Sequence, residues 1–218
     1  MISVLVVDDQ VLIRAGLAAL LRAAGFTVVG EAADGEEAVR QAAEVKPDVV
    51  LMDIRMPGMD GIRATERILS TAEPPAPKVL ILTTFDLDEY VYNALRLGAS
   101  GFLLKDTLPE RLIAAIQTVA SGDILLAPTA TRRLIEAFTK PPEAAPPPEL
   151  ADLTARELQV LRLVGHALSN KEIAERMAVS QSTVKTHLNR VMGKLGLTSR
   201  AQVVVLSYDS GLVKPGRR

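Results

Sequence analysis

Val49-Val50-Leu51-Met52-Asp53 is four apolar side chains in a row, closed by a carboxylate. A strand with one wet face alternates apolar and polar residues. A strand covered on both faces has no need to alternate, and such strands belong to parallel sheets. The same signature stands upstream in Val4-Leu5-Val6-Val7, followed by Asp8 and Asp9, and downstream in Val79-Leu80-Ile81-Leu82, followed by Thr83 and Thr84. Two shorter runs, Thr27-Val28-Val29 and Gly101-Phe102-Leu103-Leu104, complete five strands. Residues 11–24, 35–45, 61–71, 88–97 and 108–121 place apolar side chains at helical i, i+3, i+4 spacing. Strand and helix in regular alternation predict an α/β fold, a five-stranded doubly wound parallel sheet.

That pattern stops at Lys140-Pro-Pro-Glu-Ala-Ala-Pro-Pro-Pro-Glu149, which holds five of the chain's 13 prolines. Such a run supports neither helix nor central strand and reads as an extended linker. The organisation expected is a domain over 1–122, a connecting helix and Pro-rich linker over 123–149, and a second, all-α domain over 150–218. Charge divides along the same line. Residues 1–140 carry 14 Lys and Arg against 19 Asp and Glu, whereas 150–218 carry 11 against 5. A basic half suggests a polyanionic partner. With no Cys and two His in 218 residues, a disulfide framework and a zinc centre are excluded. No run approaches the ~18 apolar residues of a membrane helix. A strand begins at Ile2 with no charged leader, so the expectation is a cytoplasmic protein without membrane contact.

Ligands of open α/β sheets bind outside the carboxyl ends of the strands. The residues there are Asp8 and Asp9, Glu31, Asp53, Thr83 and Thr84, and Lys105. Asp8, Asp9 and Asp53 in one pocket repel one another. Lys105 offsets one charge, and a hard divalent cation with oxygen ligands, Mg²⁺ above all, would offset two more. An Asp so neutralised can attack phosphorus, with Thr83, Lys105 and the cation placing and neutralising the phosphoryl oxygens. The simpler alternative for Asp8-Asp9 is a helix cap at a strand-to-helix turn.

In the second half, Thr154-Ala-Arg-Glu157, Ser169-Asn-Lys-Glu172 and Ser199-Arg-Ala-Gln202 are capping boxes, and Ser180 can cap another helix. Along Gln181–Leu195, Val184, Leu188, Val191 and Leu195 share one face, which must pack on Ile173, Ala174 and Met177 of the preceding helix. Ser182, Thr186, Asn189, Arg190 and Gly193 lie opposite, with Lys185 and Lys194 at the margins. No acid occurs between 176 and 208. Two helices joined by Ala178-Val179-Ser180, the second basic, have helix-turn-helix character. An ordinary solvated, lysine-bearing face is the alternative. Gly193 is either a close-approach point for DNA or a position without a role. The last helix is apolar nearly all round, which predicts a homodimer seam through Val204 and Val205.

Val-Val-Asp8-Asp9, Leu-Met-Asp53-Ile-Arg-Met-Pro57-Gly58-Met-Asp60-Gly61, Leu-Thr83-Thr84 and Gly-Phe102-Leu-Leu-Lys105-Asp106 closely resemble the receiver domain of two-component response regulators, a flavodoxin/CheY-like fold, over residues 2–121. The resemblance implies that Asp53 accepts a phosphoryl group from a sensor histidine kinase. It implies Mg²⁺ (or Mn²⁺) held by Asp8, Asp9, Asp53 and the backbone carbonyl of Arg55, with Thr83 and Lys105 on the phosphoryl oxygens. Phe102 would be the switch aromatic, where the family often carries Tyr or His, and Thr84 would narrow access to Asp53. Leu-Thr154-Ala-Arg-Glu157, Ser169-Asn-Lys171-Glu172, Ser182-Thr183-Val184-Lys185-Thr-His187 and Lys194-Leu195-Gly196 resemble the LuxR-type output domain, so the whole chain resembles the NarL/FixJ subfamily. That implies Lys185, Thr186 and Asn189 toward base edges of double-stranded DNA. Ser182, Thr183, Arg190, Lys194, Lys171 and Arg200 would meet phosphates.

The expected protein is a transcription regulator, a homodimer when phosphorylated. Its only catalysis would be Mg²⁺-dependent self-phosphorylation and autodephosphorylation. A haloacid-dehalogenase-like phosphatase would need a second Asp two residues beyond the nucleophile, where Arg55 stands. A DNA-binding protein with a vestigial receiver is the remaining alternative, and the intact acidic set argues against it.

Overall fold

The computed structural model describes residues 1–83, 93–122, 150 and 152–213. It contains two compact units, Met1–Leu125 and Leu126–Arg218. Thr84, the connecting segment 123–149 and the first half of the helix expected at 88–97 fall outside the described residues.

The first unit is built on β1 (Ser3–Val7), β2 (Thr27–Ala32), β3 (Val49–Asp53), β4 (Lys78–Thr83) and β5 (Gly101–Leu104), in spatial order β2-β1-β3-β4-β5. All four strand pairings are parallel, as the unbroken apolar runs require. Val4 stands beside Val49, and Asp53 beside Leu82. The second strand is longer than Thr27-Val28-Val29 suggests. Its pairing with β1 continues through Gly30, Glu31 and Ala32 after an irregularity at Val4/Leu5.

The helices are α1 (Val11–Ala23), α2 (Gly35–Val45), α3 (Gly61–Thr71) and α4 (Pro109–Ala120). Leu21 of α1 and Leu112 and Ile116 of α4 share a core with Val4, Val6, Leu51 and Leu80. Leu5, Val50, Met52 and Ile81 are the alternate residues of those strands, hence face the other way, and are also buried. There α2 and α3 pack against each other and on the sheet. Asp34 and Asp60 cap α2 and α3, accepting from the backbone N–H of Glu37 and Arg63 at 2.8 Å each.

The second unit contains α5 (Ala155–Gly165), α6 (Asn170–Met177), α7 (Gln181–Leu195) and α8 (Arg200–Asp209). All three capping boxes form, and Ser180 accepts from the N–H of Thr183 at 3.1 Å. Ala178, in the left-handed region at φ 53°, closes α6 and turns the chain toward α7. Val184, Leu188 and Val191 are buried together with Ile173, Ala174 and Met177, and α7 packs on α5 as well as α6.

The seam expected through Val204 and Val205 is corrected by their burial, at 1% and 3% exposed. α8 packs on α5 and on α7. Gly165 brings α5 so close that a Cβ there would lie 2.2 Å from Ser207 Oγ. Beyond α8 the chain folds back, with Val213 N–H donating to the Ser207 carbonyl at 2.9 Å and its side chain buried. Val203, Val204 and Val205 of α8 are all buried.

Candidate functional site

Asp53 is the last residue of β3, and Asp8 follows β1 next door, so the parallel register alone brings the two carboxylates to one sheet edge. Lys105 follows β5, two strands away, and reaches back across β4. Its ammonium donates to Asp53 Oδ2 at 2.7 Å and lies 2.7 Å from Asp8 Oδ2, the second contact without hydrogen-bond alignment. Lys105 N–H also donates to the Thr83 carbonyl at 2.8 Å, which fixes the end of β5 against β4. Thr83, Asp53 and Asp8 are all buried.

The alternative that Asp8-Asp9 merely caps α1 does not hold. The capping position is Gln10, with no side-chain cap, while Asp8 Oδ1 accepts from the Gln10 N–H at 2.9 Å. Arg14, which the sequence reading did not single out, donates to the Asp8 carbonyl at 2.6 Å and steadies the turn. An arginine one turn into α1 was the signal available.

Burial pushes the Asp53 carboxyl above its ordinary value, outweighing the hydrogen bond and charge of Lys105 and the N–H of Arg55, which oppose it. For Lys105, burial acts downward most strongly, but Asp53 and Asp8 together outweigh it and raise the ammonium above its usual range. One ammonium therefore does not neutralise the site. One ligand oxygen each from Asp8, Asp9 and Asp53 can be chosen with all three within 4.8 Å of one another. Asp9 Oδ1 is buried without a hydrogen-bond partner. A hard divalent cation fits this oxygen set, both in charge and in supplying that oxygen with a partner.

Gly61 is more than loop punctuation. At the start of α3, a Cβ on it would fall 1.9 Å from the Asp53 carbonyl oxygen. Its N–H donates to the Ile54 carbonyl at 2.9 Å, so α3 begins in backbone contact with the strand that carries Asp53. Phe102 is half-buried on β5, in register with Ile81. The sequence reading also missed a cavity of about 180 Å³ beside the site, walled by Ile13 and Leu17 of α1, Leu104, Lys105 and Leu112. Val11, Leu12 and Leu108 stand exposed at 65%, 87% and 61%.

On α7, Ser182, Lys185, Thr186, Asn189 and Arg190 are exposed, Thr183 is half-buried, and Lys171 is exposed on α6. Thr186 Oγ1 donates to the Ser182 carbonyl at 3.0 Å, and Ser180 Oγ lies 2.7 Å from Ser182 Oγ. Two residues expected on this face are engaged elsewhere. Arg200 is buried, its guanidinium donating to Asn170 Oδ1 and the Leu168 carbonyl, so it ties α8 to the start of α6 instead of meeting a phosphate. Lys194 donates to Glu157 Oε2 at 2.7 Å and to the Asp152 carbonyl at 3.0 Å, so its ammonium is spent on the entry to α5.

The family described as the response regulator receiver domain matches residues 4–117, and the luxR family of bacterial regulatory proteins matches 151–207. The chain is 40% identical to the transcriptional regulatory protein LiaR of Bacillus subtilis, over 98% of this chain and 100% of that protein. It is 38% identical to the oxygen regulatory protein NreC of Staphylococcus aureus, over 97% of this chain and 99% of that protein. Among solved structures, the response regulator ChrA of a heme-sensing two-component system is similar at 35% identity and a TM-score of 0.52, over 97% of this chain and 98% of that one. With a receiver match and a luxR-family match in sequence order and LiaR aligned over 98% of this chain's length, the chain belongs to the two-component response regulators of the NarL/FixJ type, a receiver joined to a LuxR-type DNA-binding domain.

Proposed function

We propose that Asp53 is the phosphoacceptor of this response regulator and that its phosphorylation controls dimerisation and sequence-specific DNA binding by the α7 face. The observation that carries this is the buried Asp53 carboxylate, hydrogen-bonded to Lys105 at 2.7 Å and grouped with Asp8 and Asp9. A carboxylate oxygen of Asp53 attacks the phosphorus of a phosphohistidine on the sensor kinase, the P–N bond breaks, and the imidazole leaves. Lys105 pairs with one phosphoryl oxygen, and the Thr83 hydroxyl turns to another. Asp8, Asp9 and Asp53, with the Arg55 carbonyl, would hold Mg²⁺ (or Mn²⁺), which supplies neutralisation of the crowded negative charge when bound. Inward movement of Thr83 opens space for Phe102 and so reshapes the surface near β4 and β5. Thr84 completes the proposed switch by narrowing access.

The kinase docks over the exposed Val11, Leu12 and Leu108, which adjoin the strand ends that the phosphohistidine must reach. On DNA, Lys185, Thr186 and Asn189 read bases, while Ser182, Thr183, Arg190 and Lys171 hold phosphates. The dimer forms through a surface other than Val204 and Val205. The setting proposed is cytoplasmic; among the described residues no helix is long and apolar enough to cross a membrane. Intact mass and DNA retardation after incubation with acetyl phosphate and Mg²⁺ test the reading, wild type beside Asp53→Asn. The wild type should gain one phosphoryl group and bind a selected duplex more tightly, and the variant should do neither. Strong DNA binding indifferent to both treatments would show that the receiver is not the control element.

A further inference from the structure

Gly193 stands within α7, where glycine is the least favourable residue after proline. Among the described residues nothing accounts for it. A Cβ at this position would have no heavy atom within 4 Å, and its backbone φ is not among the positive ones. By contrast, a Cβ would strike a neighbour at Gly61 and Gly165, and Gly196 needs its left-handed φ of 65° to end the same helix.

Position decides what the missing side chain faces. At about 100° per residue, Gly193 lies about 20° around the helix from Thr186, and opposite the buried stripe of Val184, Leu188 and Val191. It is the last member of the exposed row Ser182, Thr186, Asn189, Gly193. Its neighbour Lys194 leaves this face clear, because its ammonium is held by Glu157 and the Asp152 carbonyl. The final turn of α7 thus presents bare helix backbone on the side where its earlier turns present polar side chains.

We infer that Gly193 is a close-contact position for the sugar–phosphate wall of the DNA groove, left without a Cβ so that the end of α7 can lie directly against it. The inference rests on the DNA-binding reading of this face. A Cβ would push the helix end outward and tilt the turns that carry Thr186 and Asn189. Gly193 acts through positioning and needs no hydrogen bond of its own.

Stability and DNA binding should then respond in opposite directions to one methyl group. Full-length wild type and Gly193→Ala are compared by thermal melting. Both are titrated by fluorescence anisotropy against a duplex selected from a random pool on the wild-type chain. Ala is the better helix former, so the melting midpoint of the helical unit should rise by a few degrees. Affinity for the duplex should fall roughly tenfold, and Gly193→Gln should weaken it further while also melting higher than wild type. Unchanged or tighter binding by Gly193→Ala would overturn the inference, as would a lower melting midpoint, which would show that the protein itself needs the glycine. A wild-type chain that selects no duplex would instead remove the DNA-binding reading on which the inference stands.

Discussion

Lys105 Nζ sits 2.7 Å from Asp53 Oδ2 across the width of β4, although 52 residues separate the two in the chain. The ammonium touches the carboxyl directly, and burial still wins, holding Asp53 above its ordinary range. Lys105→Gln should therefore raise Asp53 further. The acid limb of the rate of phosphorylation by acetyl phosphate should move to higher pH, and the rate at neutral pH should fall roughly tenfold or more. A pH–rate profile of wild type and variant checks both.

The same elevation makes a statement about stability. A carboxyl raised in the folded state is at ease when protonated, so its favourable contribution exists at low pH and is lost as pH rises through the folded-state value. At neutral pH without divalent cations, Asp53→Asn should melt higher than wild type. The difference should shrink on acidification, measured by calorimetry at two pH values.

Divalent cation should reverse that order. Ligand that binds only the folded chain stabilises by about 2.7 kcal/mol at a hundredfold excess over its dissociation constant. Wild type should gain this from Mg²⁺. Asp9→Asn, which changes the side chain whose Oδ1 is buried without a partner, should gain much less. Melts in Mg²⁺ and in chelator separate the two.

In the helical unit, the Lys194 hydrogen bond and the Thr154 backbone pull Glu157 down to about 2. Its contribution is present above the ordinary carboxyl range and is lost as pH falls from about 4.5 toward 2. Acid unfolding of this unit should be blunted in Glu157→Gln. Because Lys194 is engaged internally, Lys194→Gln should leave the slope of log affinity against log salt unchanged. Arg190→Gln or Lys171→Gln should each lower it by about 1.

Arg200 should behave as a core residue. Arg200→Met removes the buried guanidinium that donates to Asn170 Oδ1 and the Leu168 carbonyl. A loss of about 2–4 kcal/mol is expected in urea titration. Lysine should not rescue it, since one ammonium does not reproduce the two-pronged contact.

The elements and the catalytic edge were legible in the sequence because their signals are local. Unbroken apolar runs mark β1, β3 and β4, a short polar residue three before Glu or Gln marks the starts of α5, α6 and α8, and a parallel sheet places everything after its strands along one edge. Asp8, Asp9, Asp53 and Lys105 follow from that geometry without a contact being seen.

Tertiary structure alone decided which charged and apolar side chains remained available. Arg200 and Lys194 look like surface cations in the sequence, since periodicity reports the face a residue lies on and not what long-range partner waits there. Asn170 and Glu157 are those partners, 30 and 37 residues away. Val204 and Val205 look like a spare apolar face, yet both are buried. Local pattern determines what a segment can form, and burial by distant segments determines which of its side chains are left to meet DNA, a kinase or a second copy.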